Sequence, residues 1–72
     1  MKPRRRDRAM QELAVPEELS HALAGDDLAL AVFERLSLSH RREYATWVAE
    51  AKRPETRKRR VEEALRRLRD LA

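Results

Sequence analysis

Turn-forming residues are scarce in this chain, and their scarcity most constrains what it can fold into. The 72 residues include one glycine and three prolines, so β-hairpin turns, which favour glycine, have few places to form. Apolar residues recur at three- and four-residue spacing along almost every segment, which is the period of a helix and not of a strand. The pattern therefore predicts an all-α fold, a compact domain of four helices.

The first two predicted helices are short and acidic. Pro16 suits the first turn of a helix that ends at Gly25, since proline is tolerated at the start of a helix and glycine often ends one. Asp26 or Asp27 can cap a second helix that runs to about Leu36. Both helices carry an apolar stripe on one side, so we expect them to cover the rest of the domain.

The last two predicted helices form an antiparallel hairpin. Ser37 and Ser39 both offer a capping hydroxyl to the third helix, and Ser39 is the expected cap because polar residues follow it. Arg53 should end this helix, because a residue before proline disfavours helical geometry. Pro54 then suits the first position of the fourth helix, which should extend to about Leu71.

Before these helices lies a segment of different composition. Residues 1–12 predict a basic flexible tail, and residues 13–72 a single helical domain. The basic residues of the tail are Lys2, Arg4, Arg5, Arg6 and Arg8. Its start resembles the first region of a signal peptide, but Gln11 and Glu12 interrupt the apolar run that should follow. We therefore expect a cytoplasmic protein without a transmembrane segment.

The core is expected where the third and fourth helices meet. Tyr44, Trp47 and Val48 align on one face of the third helix, and helical spacing predicts that they pack against the fourth. The facing stripe of the fourth helix consists of Val61, Ala64, Leu65, Leu68 and Leu71. Because a chain of this length removes only about 60% of its unfolded surface from water, we expect marginal stability or stabilisation by a partner.

Arg57 occupies an unusual position for a charged residue. It projects in line with the apolar stripe of the fourth helix, one turn before that stripe begins. We expect its aliphatic stem to pack against the third helix. Its guanidinium would then stack on Trp47 or Tyr44. An ion pair with Glu43 or Glu50 is the alternative.

The same part of the chain carries a family resemblance, through Ser39, His40, Arg41, Arg42, Glu43, Tyr44, Trp47, Ala51, Lys52, Glu55, Thr56 and Arg57. These residues resemble the small helical domain of the YdeI/OmpD-associated, or bacteriocin-protection, family over about residues 14–71, with Leu38 where that family usually has proline. The resemblance implies a role in bacteriocin or antimicrobial-peptide resistance, with a protein partner. It supplies no catalytic residue, and its motif positions Ser39, Tyr44, Trp47, Pro54 and Arg57 are interpreted as architectural.

Few side chains could support catalysis or bind a metal. The chain has no cysteine, so disulfides and thiolate metal sites are excluded. His21 and His40, the only histidines, lie in different predicted helices and form no local pair of metal ligands, and the serines lack the surroundings of a nucleophile. No phosphate-binding loop or dinucleotide motif occurs. We therefore expect a non-enzymatic protein with no cofactor and no metal.

Charge is strongly segregated along the sequence. Residues 9–40 hold six acidic and one basic residue, whereas residues 41–60 hold eight basic and three acidic ones. Four-residue spacing predicts helical ion pairs of Glu55 with Arg59, Glu62 with Arg66, Glu63 with Arg67, and Arg66 with Asp70. The cations that this assignment leaves without a local partner are Arg41, Arg42, Lys52, Arg53, Lys58 and Arg60. They either face the acidic first half and solvent, or bind an acidic protein, nucleic acid or anionic lipid.

Two functions follow from this pattern. The first is a small protein-interaction or stress-protection module, as the family resemblance implies. The alternative is a nucleic-acid-binding module that uses the tail and the basic corner between the third and fourth helices. A net charge of +4 favours the alternative, although no helix-turn-helix signature accompanies it.

Overall fold

A computed structural model describes residues 15–72, and every regular element within that range is an α-helix. The helices are α1 (Glu17–Ala24), α2 (Asp27–Arg35), α3 (Leu38–Ala49) and α4 (Pro54–Asp70). The all-α prediction is confirmed. The predicted tail, residues 1–12, lies outside the described residues. None of these four helices combines the length and apolar character that crossing a membrane requires.

Residues close in sequence determine both ends of α1 and the start of α2. Glu17 lies in the first turn of α1, where an acidic residue complements the unpaired amides. Gly25 ends α1 at φ −94°, which is a conformation open to any residue. Asp26 is the cap of α2, because its Oδ1 accepts a hydrogen bond from the Ala29 amide at 3.1 Å.

The start of α3 corrects the predicted cap. Ser37, not Ser39, is the N-cap: its backbone is extended and its Oγ accepts a hydrogen bond from the His40 amide at 3.2 Å. Ser39 already lies inside the helix, because α3 begins at Leu38. A capping oxygen must reach the amide two or three residues ahead, and that requirement is met two residues earlier than the polar run suggested.

Both ends of α4 lie within one residue of their predicted positions. Pro54 is its first residue, preceded by Arg53 in an extended conformation, as predicted. The helix ends at Asp70, and Leu71 is 62% exposed. The prediction that Leu71 completes the core stripe is therefore wrong, because the residue lies beyond the last regular turn.

The core is built around α4, which packs against each of the other three helices. Helices α1 and α2 also contact each other, whereas α3 packs chiefly against α4, to which residues 50–53 connect it. The buried cluster consists of Leu19, Leu23, Ala29, Val32, Phe33, Val48, Val61, Ala64 and Leu68. Most of these side chains belong to α1, α2 and α4, so α3 contributes least to the core.

The predicted contact between α3 and α4 is correct for Val48 and needs correction for the aromatic residues. Val48 is fully buried in the same cluster as Val61 and Leu68. Tyr44 and Trp47 are only partly buried and pack against the edge of that cluster. They are therefore border residues between the core and the surface.

Candidate functional site

One guanidinium joins three parts of the chain, and we call this contact the Arg57 junction. Arg57 Nε and Nη2 donate to Glu18 Oε2 and Oε1, each at 3.0 Å. Its Nη1 donates to the backbone oxygens of Ala51 at 3.0 Å and Ala49 at 3.3 Å. The side chain therefore links the first turn of α1, the end of α3 and the first turns of α4.

The predicted partners of Arg57 are wrong. The guanidinium neither stacks on an aromatic ring nor pairs with an acidic residue of α3, because Glu18 and two carbonyl oxygens take up its donors. Glu18 lies 39 residues away in sequence, so no local pattern could identify it. The segregation of charge does anticipate the pairing, since an acidic first half meets a basic second half.

A second ion pair follows the same rule. Arg69 Nε, near the end of α4, donates to Asp26 Oδ2 at 2.7 Å, so the residue that caps α2 also contacts α4. Both long-range ion pairs among residues 15–72 thus join the acidic half to the basic half. Arg57 and Arg69 are not among the six cations for which the sequence predicted contact with the acidic helices or with an anionic partner.

These contacts shift the acidity of the residues involved. Hydrogen bonds from Arg57 lower the pKa of Glu18, and the same contact raises the pKa of Arg57. The hydrogen bond from Arg69, followed by that from the Ala29 amide, lowers the pKa of Asp26. Both carboxylates therefore stay ionised further into the acid range than a free side chain would.

Trp47 is held between two arginines of α4, an arrangement that we call the Trp47 clamp. The guanidinium carbons of Arg60 and Arg67 lie over the indole, 5.5 Å and 5.1 Å from its centroid, at cation–π distance. Residues seven apart on a helix share a face and are separated by about 10.5 Å, which accommodates one ring. Arg60 Nη1 also donates to the Trp47 backbone oxygen at 2.7 Å.

Arg67 is held on its other side by Glu63, whose Oε2 accepts from Nη2 at 2.6 Å. This is one of four helical ion pairs that the sequence predicts. The other three, Glu55 with Arg59, Glu62 with Arg66, and Arg66 with Asp70, are not formed among the described residues. Exposed pairs of that kind contribute little energy, so helical spacing alone does not fix them.

The six predicted anion-binding cations divide into two groups. Arg60 belongs to the Trp47 clamp, and Arg41 is half-buried with its Nε donating to the Leu36 oxygen at 3.2 Å. The remaining four are exposed and form no ion pair with any residue of the range 15–72; they are Arg42, Lys52, Arg53 and Lys58. Two of the six cations are therefore engaged in holding the fold.

Beside the clamp lies an open groove of about 400 Å³ between α3 and the end of α4, which we call the aromatic groove. Its lining combines apolar and aromatic side chains with three polar ones: Leu36, His40, Glu43, Tyr44, Trp47, Arg67 and Leu71. Its volume lies within the range of small-molecule and side-chain pockets. An apolar surface with polar groups among it can hold an apolar side chain in one orientation.

A second, shallower groove of about 360 Å³ follows the outer side of α3. Its lining residues recur at three- and four-residue spacing, so they form one face of the helix. We call this face the α3 stripe: Ser39, Arg42, Glu43, Thr46, Trp47 and Glu50. Trp47 and Glu43 line both grooves, which makes Trp47 the centre of the candidate site.

The motif positions have distinct structural roles. Pro54 starts α4, Arg57 forms its junction, and Tyr44 and Trp47 border the core, whereas Ser39 lies on the α3 stripe. Sequence reasoning missed three contacts: Arg57 with Glu18, Arg69 with Asp26, and Arg67 with Trp47. For Arg67 a signal existed, because it lies seven residues after Arg60 and hence on the same face of α4.

Comparison with known proteins adds a family. The family model described as Bacteriocin-protection, YdeI or OmpD-Associated matches residues 12–70. Neither the curated proteins nor the solved structures contain a match to the chain. The matched range includes all four helices and every lining residue of the two grooves except Leu71.

Proposed function

The chain belongs to the bacteriocin-protection, YdeI or OmpD-associated family, and from this premise we propose that it acts in bacteriocin protection by binding a protein partner, without catalysing a reaction. The aromatic groove is the proposed docking site. The observation that carries this proposal is the Trp47 clamp, which fixes a partly buried indole at the border of an open groove.

A fixed aromatic side chain suits recognition for a physical reason. Tryptophan provides a large contact area, and holding it in place before binding reduces the entropy lost on association. Leu71 adds an exposed apolar side chain to the same groove. We expect the partner to insert an apolar or aromatic side chain, with His40 and Glu43 available to hydrogen-bond its neighbours.

The proposal is tested by Leu71→Lys in bacteria that express the chain and are challenged with a panel of bacteriocins. Leu71 lies beyond the end of α4, so a lysine there alters the groove and leaves the core untouched. Leu28→Lys is the matched control, because Leu28 is 50% exposed and lies outside the groove. We expect the first variant to lose most of the protection and the second to retain it.

Two results would contradict the proposal. One is full protection by Leu71→Lys, which would remove the aromatic groove from the docking surface. The other is equal loss in both variants. Circular dichroism of the purified proteins should show the same helical content for parent and variants, which separates loss of binding from loss of folding.

The nucleic-acid alternative has one observation in its favour, the four exposed cations without an ion pair among residues 15–72. Titration with duplex and single-stranded DNA at several salt concentrations would test it. Binding to phosphates predicts a slope of about −0.9 per neutralised phosphate in a plot of log affinity against log salt. Absence of binding at low salt would remove this alternative.

A further inference from the structure

We propose that the α3 stripe is a self-association surface, on which α3 of a second copy of this chain packs in the antiparallel direction. The position of α3 in the fold leaves this surface open, because the helix packs chiefly against α4. The stripe follows the outer side of α3 as far as Glu50, the residue that ends the helix, and it shares Glu43 and Trp47 with the aromatic groove. Its occupant can be inferred from the order of its charges.

The charges of the stripe are self-complementary. Arg42 and Glu50 lie four residues before and after Thr46, which places each about 6 Å from it along the helix axis. A two-fold axis that passes through Thr46 would bring Arg42 of each copy opposite Glu50 of the other. The same contact therefore forms twice. A parallel arrangement would instead place like charges together, which disfavours it.

The rest of the stripe is compatible with this arrangement. Thr46 is small and exposed, so two helices can approach closely where they cross. Trp47 lies next to it and adds apolar area near the axis. Neither Arg42 nor Glu50 forms an ion pair with another residue of the range 15–72. Both charges are therefore available for an intermolecular contact.

The size of the surface predicts a weak dimer. Helix α3 has 12 residues and is therefore about 18 Å long, so its face is smaller than the roughly 800 Å² per partner of a standard stable interface. The proposed ion pairs are exposed, and salt screens such pairs. Association should therefore depend on protein concentration and weaken as salt is added.

Sedimentation equilibrium at low salt, with protein up to millimolar concentration, tests this proposal. Arg42→Glu and Glu50→Arg should each raise the dissociation constant of the dimer by about tenfold or more, because each replaces two attractive contacts with two repulsive ones. The double variant that carries both changes restores opposite charges across the axis. It should therefore associate nearly as tightly as the parent.

The control is Arg59→Glu, which changes the net charge by the same amount at an exposed position outside the stripe. It should associate like the parent. A parent that stays monomeric at every concentration would overturn the proposal, and so would a double variant as weak as the single ones. Leu71→Lys, which tests the aromatic groove, leaves the α3 stripe intact. Failure of the self-association proposal can therefore be distinguished from failure of the proposed docking site.

Discussion

The two sides of α4 are held by different kinds of interaction. Towards α1 and α2, aliphatic side chains such as Leu19 and Leu68 are fully buried, and two partly exposed ion pairs, to Glu18 and Asp26, lie beside this apolar contact. Towards α3, Val48 is the one large side chain that is fully buried, and arginines surround the partly buried Trp47. The first interface depends mainly on burial, which has no preferred direction, and the second mainly on directional hydrogen bonds and cation–π contacts.

Arginines of α4 donate hydrogen bonds to carbonyl oxygens at the end of α3. The last carbonyl groups of a helix have no partner inside it, and a positive charge near them is favourable. Arg60 donates to the oxygen of Trp47, and Arg57 donates to those of Ala49 and Ala51. Two arginines of α4 thus attach the end of α3 to that helix. We infer that α3 opens from the rest of the fold at a lower free energy than the other helices.

Leu68→Ala should have the largest effect, because it removes a fully buried side chain from the apolar side. Truncation of a buried leucine costs about 2–5 kcal/mol in free energy of unfolding, a large share for a small domain. Urea unfolding followed by circular dichroism measures it. Leu28→Ala, at a half-exposed leucine, should stay within about 0.5 kcal/mol of the parent. Equal effects would contradict the assignment of the core.

Arg57→Ala and Arg57→Lys should have the next largest effect, on the α3 side. Lysine cannot hold both Glu18 oxygens and two carbonyl oxygens at once, since it lacks the planar fork of arginine. Both variants should therefore lower the melting temperature, with lysine between alanine and the parent. Arg59→Ala and Arg59→Lys are the controls, because Arg59 is exposed and forms no ion pair within residues 15–72. If the Arg57 variants and the Arg59 variants had the same melting curves, the Arg57 junction would not stabilise the fold.

Acid should weaken the ion pairs before it affects the apolar core. Because the folded-state pKa of Glu18 lies below its ordinary value of 4.5, the pair with Arg57 contributes fully above that value. The contribution is lost as pH falls through the folded-state pKa. Glu18→Gln should therefore lower stability at neutral pH and flatten its acid dependence.

Urea midpoints measured from neutral pH to about pH 2 test this prediction. Glu17→Gln is the control, since it removes the same charge from the neighbouring position and Glu17 takes part in no ion pair of residues 15–72. An acid dependence that is unchanged in Glu18→Gln would show that the junction does not contribute.

The smallest expected effect is a gain in stability from Leu38→Pro. Leu38 is the first residue of α3, where proline costs no hydrogen bond. Ser37 before it has φ −62° and ψ 158°, the extended geometry that a residue preceding proline prefers. We expect about 0.4–1 kcal/mol through reduced entropy of the unfolded chain. Leu38→Ala is the control, because it shows how much stability the loss of the leucine side chain alone costs. A proline variant less stable than the parent would contradict the assignment of Leu38 as the first residue of α3.

How far the sequence predicts this fold depends on the distance over which each signal acts. Pro54, Gly25 and Asp26 mark helix ends through contacts within a few residues, so those boundaries can be read directly. Ser37 and Ser39 offer the same chemistry two positions apart, and only the path of the chain distinguishes them.

The candidate site is less predictable for the same reason. The unusual position of Arg57 is visible in the sequence, but its partner Glu18 depends on how α1 packs against α4. Trp47 is likewise recognisable, and Arg67 shares a helix face with Arg60, yet the contact of both arginines with the indole depends on how α3 packs against α4. Tertiary contacts of this kind have no local sequence signal.

Native-state hydrogen exchange, resolved by residue, tests most directly whether α3 opens independently of the rest of the fold. We expect the amides of α3 to exchange through openings of lower free energy than those of Val61, Ala64 and Leu68 in α4. Arg57→Ala should lower protection in α3 more than in α1 and α2. If α3 instead exchanged only with global unfolding, at the same free energy as the centre of α4, the two sides of that helix would not differ as described.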